Sequence, residues 1–297
     1  CACLVGSEMC IRDRESGMSK SEINYVNSVD VDINEATPML KQFLEIKKNN
    51  LDVLLLYRMG DFYETFFEDA LTLSKDLEIT LTSREGGALG RIPMAGIPAK
   101  AVDNYLPKLL EKGHKISICE QLEDPAQAKG LVKRDVIRVV TPGTVTESNL
   151  LEEKRNNFIM SIFKKGIFFG IAVCDISTGD FYSAEIKEEN NFERLLDEIS
   201  RYSPSEIIAN EMLYDCGEEI SKIKERFDVY ISTEDEEKFS EETEEIYMQY
   251  ALSDDKGNII KDLEKRPFAV AAINGLIKYI EDTQKTKLEH INKITIY

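Results

Sequence analysis

The sequence predicts an α/β protein with a mixed-sheet first domain, a second domain built on a strand meander, and the start of an α-helical core. Three observations lead to this prediction. At 297 residues the chain is long enough for two hydrophobic cores. Short apolar runs with strand character alternate with segments of helical spacing. Hydrophobic residues make up 42% and charged residues 31%, as in globular domains, and no apolar run approaches the roughly 20 residues of a membrane span.

The first domain is expected to span residues 37–150. Helices are predicted at 37–49, 61–77 and 102–113, and strands at 53–57, 79–82, 115–120 and 136–140. Thr37 and Pro38 suit the first turn of a helix, and Gly113 suits a helix end. Pro107 is expected to kink the third helix or delay its start. The glycine-rich stretch 85–91 is expected to be a flexible loop.

The start of the second helix is the most informative feature of the chain. Residues 54–67 read LLLYRMGDFYETFF, and the apolar run stops at Gly60. Asp61, followed three residues later by Glu64, has the form of a helix capping box. This places Phe62 at the exposed first position of the helix, beside a carboxylate. In the structural alternative, Phe62 is a packing residue and Glu64 is only the capping partner.

The second domain is expected at residues 151–250. Strand-like runs at 158–163, 167–175 and 181–186 are joined by short turns, and helix–strand alternation follows at 192–202, 206–209, 218–226 and 229–231. A three-strand meander followed by this alternation predicts a ribonuclease H-like sheet. The acidic run at 234–245 is interpreted as a solvated linker or helix face. An apolar helix at 268–283 and a strand at 290–297 are expected in the last segment of the chain, at 251–297.

The acidic residues are concentrated away from Phe62. The formal net charge is −18, yet residues 35–150 hold 15 basic and 17 acidic residues, whereas residues 151–297 hold 19 and 32. Contacts to phosphate require Lys and Arg. A local DNA-facing patch in the first domain is therefore compatible with the acidic total, although weak DNA binding by this chain alone is expected.

The ends and the cysteines give further expectations. Residues 1–17 precede Met18 and resemble translated adapter sequence, so they are expected to be a non-native leader, and residues 18–36 a flexible tail. The six cysteines show neither a secreted disulfide pattern nor zinc spacing. Cys119 and Cys174 lie in apolar runs and are expected to be reduced core residues. A cytoplasmic location fits this usage.

Several motifs resemble the MutS family of DNA mismatch repair proteins. The segment YRMGDFYE at 57–64 is similar to the Phe-x-Glu signature of that family. Further similar segments follow in the same order: IPMAGIP at 92–98, AVDNYL at 101–106, ICEQ at 118–121, VTPGT at 140–144, DISTG at 175–179 and YIEDTQ at 279–284. The resemblance covers roughly residues 37–297 and identifies the three segments as a mismatch-recognition domain, a connector domain and the start of the core or lever region.

The resemblance implies that the chain recognises mismatched or looped DNA. Phe62 would enter the minor groove and kink the duplex, and Glu64 would hydrogen-bond the mispaired base. The other implied DNA-binding residues are Met59, Asp61, Arg84 and Met94. Basic side chains that are candidates for phosphate contacts are Lys129, Lys133, Arg134 and Arg138. For each basic residue, an ordinary solvated side chain remains the alternative.

The resemblance also implies partners outside these domains. The ATPase of the family, with its ATP and Mg²⁺, lies in a later domain, so this chain is expected to be a fragment that is not itself an enzyme and holds no cofactor. Full-length members are homodimers, and the connector would contact a MutL-like matchmaker. No membrane contact is expected.

Two other functions were weighed. A ribonuclease H-like sheet with Asp175 and Asp180 at a turn suggests, as one alternative, a metal-dependent nuclease. Such an enzyme needs several converging carboxylates. Asp175 next to Ser177 is better explained by turn hydrogen bonds. A protein-binding scaffold remains open for residues 156–231. The sequence has no phosphate-binding Gly-x-x-x-x-Gly-Lys-Ser/Thr motif, and His114 and His290 lack the spacing of a metal site.

Overall fold

The computed structural model describes residues 23–124, 128, 130–145, 156–187, 191–243, 263–285, 291 and 294–297. These residues form two six-stranded sheets, each combined with helices. The predicted α/β class and the mixed sheet of the first domain are therefore confirmed, and the second sheet is also mixed. The leader at 1–17 and the beginning of the tail lie outside the described residues.

The first sheet is central to the N-terminal domain. The elements of this domain are α1 (Pro38–Lys48), β1 (Leu54–Met59), β2 (Phe62–Phe66), α2 (Phe67–Leu77), β3 (Thr82–Glu85), β4 (Arg91–Pro98), α3 (Val102–Glu111), β5 (Ile116–Gln121) and β6 (Arg134–Val140). The strand order is β3-β4-β2-β1-β5-β6. Strands β1 and β5 are parallel, and the other neighbours are antiparallel. One face packs on α1 through Phe43, and the other packs on α2 and α3 through Leu73 and Leu106.

The predicted helix start at Asp61 is wrong. Phe62 begins a strand, and the helix starts five residues later, at Phe67. The strand forms because Phe62–Phe66 pairs with β1 on one side and β4 on the other, which satisfies its backbone groups. Tyr63 and Thr65 point into the core, as strand alternation requires. The chain then bends into α2 at Phe67, whose φ is +55°.

Strand β4 was not predicted, because Pro93, Gly96 and Pro98 interrupt its apolar run. It nevertheless lies inside the sheet, between β2 and β3. The strand predicted at 79–82 is displaced to Thr82–Glu85. The expected flexible loop at 85–91 is largely a closed hairpin turn, in which the Gly86 N–H donates to the Gly90 carbonyl at 2.6 Å.

The described part of the expected flexible tail lies against the first domain. Residues 23–36 include two short 3-10 turns. The Asn24 N–H donates to the Arg91 carbonyl at 2.6 Å, and the Ser28 N–H donates to the Glu68 carboxylate at 2.8 Å. These hydrogen bonds attach the segment to β4 and α2, so residues 23–36 are not a free tail.

The second domain contains the predicted meander and the following alternation. Its elements are β7 (Phe158–Lys165), β8 (Phe168–Asp175), β9 (Asp180–Ile186), α4 (Asn191–Tyr202), β10 (Glu206–Ala209), α5 (Glu211–Tyr214), α6 (Gly217–Arg226), β11 (Tyr230–Thr233), α7 (Pro267–Gln284) and β12 (Ile294–Ile296). The strand order is β11-β10-β7-β8-β9-β12. Strands β7, β8 and β9 are antiparallel neighbours, and β10, β11 and β12 pair in parallel.

Helix α7 and β12 belong to the second sheet, where a separate helical core was expected. Strand β12 pairs with β9 at the sheet edge, and α7 packs across the meander. This packing follows from composition, since α7 is apolar around most of its surface and must be covered on several sides. Gly170 permits the close approach, because a Cβ there would lie 1.7 Å from the Phe268 carbonyl oxygen. The start of a helical core is not seen among the described residues.

The two domains meet at a buried carboxylate. Glu206, at the start of β10, is fully buried and accepts hydrogen bonds from Thr141 Oγ1 at 2.6 Å and the Gly143 N–H at 3.0 Å. The Tyr279 hydroxyl of α7 also donates to Glu206, at 2.6 Å. Burial raises the pKa of Glu206 above its ordinary value. The VTPGT segment of the first domain is thus hydrogen-bonded to the second.

Candidate nucleic-acid interface

Phe62 lies at the tip of the β1–β2 hairpin. Met59 pairs with Phe62, so Gly60 and Asp61 form a two-residue turn. Gly60 has φ +59°, and a glycine at the first central position is typical of type II′ hairpin turns. The Phe62 side chain is 47% exposed, and Asp61 is also exposed. An aromatic ring therefore projects from a rigid, doubly paired strand.

One face of the sheet carries several of the predicted site residues. Partners directly across a strand pair share a face, so Met59 lies beside Phe62, and Met94 lies farther along, opposite Phe66. Both methionines are half-buried. Glu64 is on the same face and pairs with Gly96. A Cβ at Gly96 would lie 3.4 Å from Glu64 Cγ, so the glycine keeps the surface beside Glu64 open.

Glu64 is held by an arginine from a neighbouring strand. Arg84 Nη1 donates to Glu64 Oε2 at 2.7 Å, and the side chains are 35% and 17% exposed respectively. Burial raises the pKa of Glu64, and the Arg84 guanidinium opposes that rise. Two of the predicted residues are thus directly joined. Their arrangement presents a partly desolvated carboxylate near an exposed ring.

The candidate phosphate-binding residues are not brought together. Arg134 makes internal contacts: its Nε donates to the Arg58 carbonyl at 2.7 Å, and its guanidinium lies 5.0 Å from the Tyr57 ring centroid. Arg138 pairs with Ile118, whose side chain packs in the core on the opposite face from Phe62. Lys133 is exposed immediately before β6. Lys129 lies outside the described residues.

A network behind Phe62 was missed at the sequence level. Arg58 Nε donates to the Gly60 carbonyl at 2.5 Å, and its Nη1 lies 3.3 Å from Glu120 Oε1. The Tyr63 hydroxyl also donates to Glu120 Oε1, and the Arg58 guanidinium lies 5.3 Å from the Tyr63 ring centroid. Arg58 and Tyr63 are cross-strand partners on the face opposite Phe62. Lys100, exposed just after β4, was also missed.

The second-domain carboxylates have a structural explanation. Asp175 is buried, and its Oδ1 accepts from the Ser177 N–H at 2.8 Å and from Ser177 Oγ at 2.6 Å. Its Oδ2 accepts from the Asn157 N–H at 3.1 Å. The predicted turn chemistry is confirmed. In the part of the chain that the structure describes, no group of three His, Cys, Asp or Glu side chains is placed to hold a metal ion.

The other predicted single residues also have defined surroundings. Cys119 and Cys174 are buried free thiols, as predicted, and burial raises the pKa of Cys119 to about 12. His114 Nε2 lies 2.6 Å from Asp76 Oδ2, and His290 is outside the described residues. Over the described ranges, no helix is long and apolar enough to cross a membrane.

Comparison with known proteins supports the interpretation of both domains. A family model described as MutS domain I matches residues 37–149, and one described as MutS domain II matches residues 157–292. The second match includes α7, in agreement with its packing on the second sheet.

Curated relatives match most of the chain. DNA mismatch repair protein MutS of Ruminiclostridium cellulolyticum is 48% identical over 261 residues, which are 88% of this chain and 29% of the relative. The protein of the same name from Acetivibrio thermocellus is 49% identical over 263 residues, 88% of this chain and 30% of the relative. The chain thus spans less than a third of the length of these relatives. It belongs to the MutS family of DNA mismatch repair proteins and carries domains I and II of that family.

Proposed function

We propose that the first domain recognises mismatched or looped double-stranded DNA by inserting Phe62 into the minor groove. The observation that carries this proposal is the exposed Phe62 ring at the tip of a hairpin, with Glu64 two residues away on the same face. An exposed aromatic ring on a rigid tip is suited to act as a wedge between base steps. Membership of a mismatch-repair family supports DNA as the target.

Selectivity in this mechanism comes from the DNA. Unstacking a base step costs a few kcal/mol, and it costs less where a mispair or an unpaired loop has already weakened the stack. Because the ring gains similar stacking at any site and the unstacking cost is lowest at the weakened one, the wedge favours the mispair or loop. Met59, beside Phe62, would widen the apolar contact with the groove, and Met94 lies farther along the same face.

Glu64 would read the displaced base. Because burial raises the pKa of Glu64, its carboxyl group is protonated more readily than that of an exposed glutamate. A protonated carboxyl can donate a hydrogen bond to a purine nitrogen. Arg84 holds Glu64 Oε2 at 2.7 Å and so fixes the direction of the carboxyl group. Asp61 at the turn places a second negative charge nearby, which disfavours closer approach of phosphates at that point.

Baseline affinity would come from basic side chains. Lys133 and Lys100 are exposed and suited to phosphate contacts, whereas Arg134 is engaged internally and Arg138 is on the other face. Lys129 remains a candidate from the sequence alone. The internal engagement of Arg134 agrees with weak DNA binding by these two domains alone.

The second domain is proposed to be a connector that contacts a MutL-like matchmaker. Exposed apolar side chains at one end of its sheet support a protein-binding role: Ile167, Met212 and Tyr214. We further propose that full-length cytoplasmic homodimers bind ATP and Mg²⁺ in a domain beyond these two, and that these two domains are not themselves catalytic. The nuclease alternative gains no support, because Asp175 is committed to its turn.

The test compares Phe62→Ala and Glu64→Ala in a full-length protein that carries this region. Binding to matched and G·T duplexes is measured by fluorescence anisotropy at two salt concentrations. Stacking is worth roughly 1–3 kcal/mol per base, so Phe62→Ala should lose about tenfold to hundredfold in mismatch preference while retaining the salt-dependent binding to matched DNA. Glu64→Ala should have a smaller or opposite effect on affinity, because it also removes a negative charge.

Leu71→Ala is the matched control. Leu71 is 38% exposed on α2, which packs on the sheet face away from Phe62, and alanine is well tolerated in helices. This variant should keep the full preference. If Phe62→Ala also keeps the full preference for the G·T duplex, the ring is a packing residue and the wedge proposal is wrong.

A further inference from the structure

The Phe62 hairpin is braced from its rear face by a network that spans three strands. Arg58 is on β1, Tyr63 on β2 and Glu120 on β5. The Arg58 and Tyr63 side chains lie on the face opposite Phe62, since strand residues alternate between faces. None of the three is among the residues assigned above to contact with DNA.

Each member restrains the turn differently. Arg58 donates through Nε to the Gly60 carbonyl, which fixes the first residue of the turn directly. Tyr63 is the residue after Phe62, and its buried ring and hydroxyl fix the strand immediately beyond the wedge. Glu120 accepts from both residues and thereby links β1, β2 and β5.

The environment of Tyr63 strengthens this link. The Tyr63 residue is only 5% exposed, and burial together with the Glu120 hydrogen bond raises its pKa to about 12. The hydroxyl therefore stays protonated over the whole physiological range and remains a donor to Glu120. A hydrogen bond to a charged acceptor is stronger than one between neutral groups.

We propose that Arg58, Tyr63 and Glu120 are positioning residues for the Phe62 wedge. This inference rests on the function proposed above. Insertion of a ring into a base step requires a tip that keeps its conformation, and Gly60 gives the turn more conformational freedom than other residues would. The network holds the tip through the Gly60 carbonyl and the Tyr63 side chain, so its loss lowers mismatch preference without changing the DNA contacts.

The central variant is Glu120→Ala in a full-length protein that carries this region, with Asp135→Ala as the matched control. Asp135 is the cross-strand partner of Glu120 and is exposed, and its carboxylate accepts from the Val136 N–H. Both variants remove one negative charge at the same place in the sheet. Any difference between them therefore reports the network and not the net charge.

The readout is the ratio of affinities for G·T and matched duplexes, with 2-aminopurine fluorescence beside the mismatch as a measure of unstacking. Glu120→Ala should lower the ratio about fivefold, equivalent to about 1 kcal/mol, and should weaken the unstacking signal, whereas Asp135→Ala should leave both unchanged. Glu120→Gln should recover most of the ratio, because its amide oxygen still accepts from Tyr63. Tyr63→Phe, which keeps the ring and loses the donor, should behave like Glu120→Ala.

Phe62→Ala, alone and combined with Glu120→Ala, separates the possible failures. If Phe62→Ala loses the preference while Glu120→Ala matches Asp135→Ala, the positioning inference is overturned and the wedge stands. If Phe62→Ala keeps the preference, the wedge proposal itself fails, and the inference fails with it. In the Phe62→Ala background Glu120→Ala should have no further effect, and an additional loss there would assign Glu120 a separate role.

Discussion

Replacing Gly170 by alanine is expected to displace α7 from its packed position on the second sheet. Gly170 lies on β8, where the first turn of α7 crosses the strand. An added Cβ would lie 1.7 Å from the carbonyl oxygen of Phe268 and 2.2 Å from its carbonyl carbon. Real Cβ contacts are not shorter than 3.0 Å. The helix backbone must therefore move by more than 1 Å, because the three atoms nearest to the added Cβ all belong to the backbone.

The expected cost has two parts. Forcing an extra methyl group into a packed core costs about 1–3 kcal/mol. The movement also weakens the cap of α7, where Glu185 Oε2 accepts from the Phe268 N–H at 2.8 Å and the Ala269 N–H at 3.4 Å, and loss of a helix cap costs about 1 kcal/mol. We expect a total near 3 kcal/mol. For domains of this size, that lowers the melting temperature by about 6–12 °C.

Thermal denaturation of the 297-residue chain, followed by circular dichroism, measures this effect. Gly217→Ala is the matched control in the same domain. Gly217 is the first residue of α6, and a Cβ there meets no atom within 4 Å. This change should raise stability slightly, by up to about 1 kcal/mol, because alanine is a better helix former. If Gly170→Ala melts within 2 °C of the unchanged chain (roughly 1 kcal/mol or less), α7 is not seated on β8 as described.

Two further predictions concern a buried ion pair of the first domain, in which Lys47 Nζ donates to Asp69 Oδ1 at 2.9 Å, and the proposed partner of the second domain. Burial raises the pKa of Asp69 to about 6, so its contribution to stability is fully present below about pH 4 and is lost as the pH rises through 6. Between pH 4 and pH 7, the free energy of unfolding in urea should fall by about 2 kcal/mol more for the unchanged chain than for Asp69→Asn; parallel pH profiles for the two proteins would contradict this prediction. For the connector, a photocrosslinker at Met212 in a full-length protein should capture a MutL-like matchmaker. A photocrosslinker at Asp103 on α3 is the control and should not capture it. Capture of DNA alone at Met212 would refute the proposed role of the second domain.

The second domain was predictable because its strands are continuous apolar runs with clear turns. Strand β10 was predicted at 206–209 and occupies those residues, and the meander ends lie within two residues of their expected positions. Such runs are buried on both faces, so local composition and burial agree. What the sequence could not supply was the placement of α7. An apolar helix fits either a new core or the face of an existing sheet.

The first domain was harder because long-range pairing overrides a local signal. The Asp61–Glu64 spacing is a valid capping box, but Phe62–Phe66 gains hydrogen bonds from two strands. One of these, β4, contains prolines and was not expected to be a strand at all. Since β4 was not recognised, the pairing that makes β2 a strand could not be inferred.

A β-bulge explains why two of the predicted phosphate-binding residues, Arg134 and Arg138, lie on opposite faces of the sheet. Arg134 and Arg138 are four residues apart, which places them on the same face of a regular strand. The pairing with β5 shifts by one residue between Ile118 and Cys119, so the two arginines lie on opposite faces. A register shift of this kind flips every later side chain. The sequence shows the individual basic residues. Whether they share one surface depends on the β-bulge, which the sequence does not show.

The error at Phe62 changes the physical basis of the proposed wedge. A ring at a helix start would be held by a single turn and one cap, and helix ends fray readily. A ring at a hairpin tip is held by β1 and β4 through backbone hydrogen bonds and by Arg58 and Tyr63 from behind. Phe62 would be exposed in either arrangement, because it lies near the end of an element that begins just after Gly60. The hairpin therefore gives the proposed wedge a firmer support than the predicted helix start would.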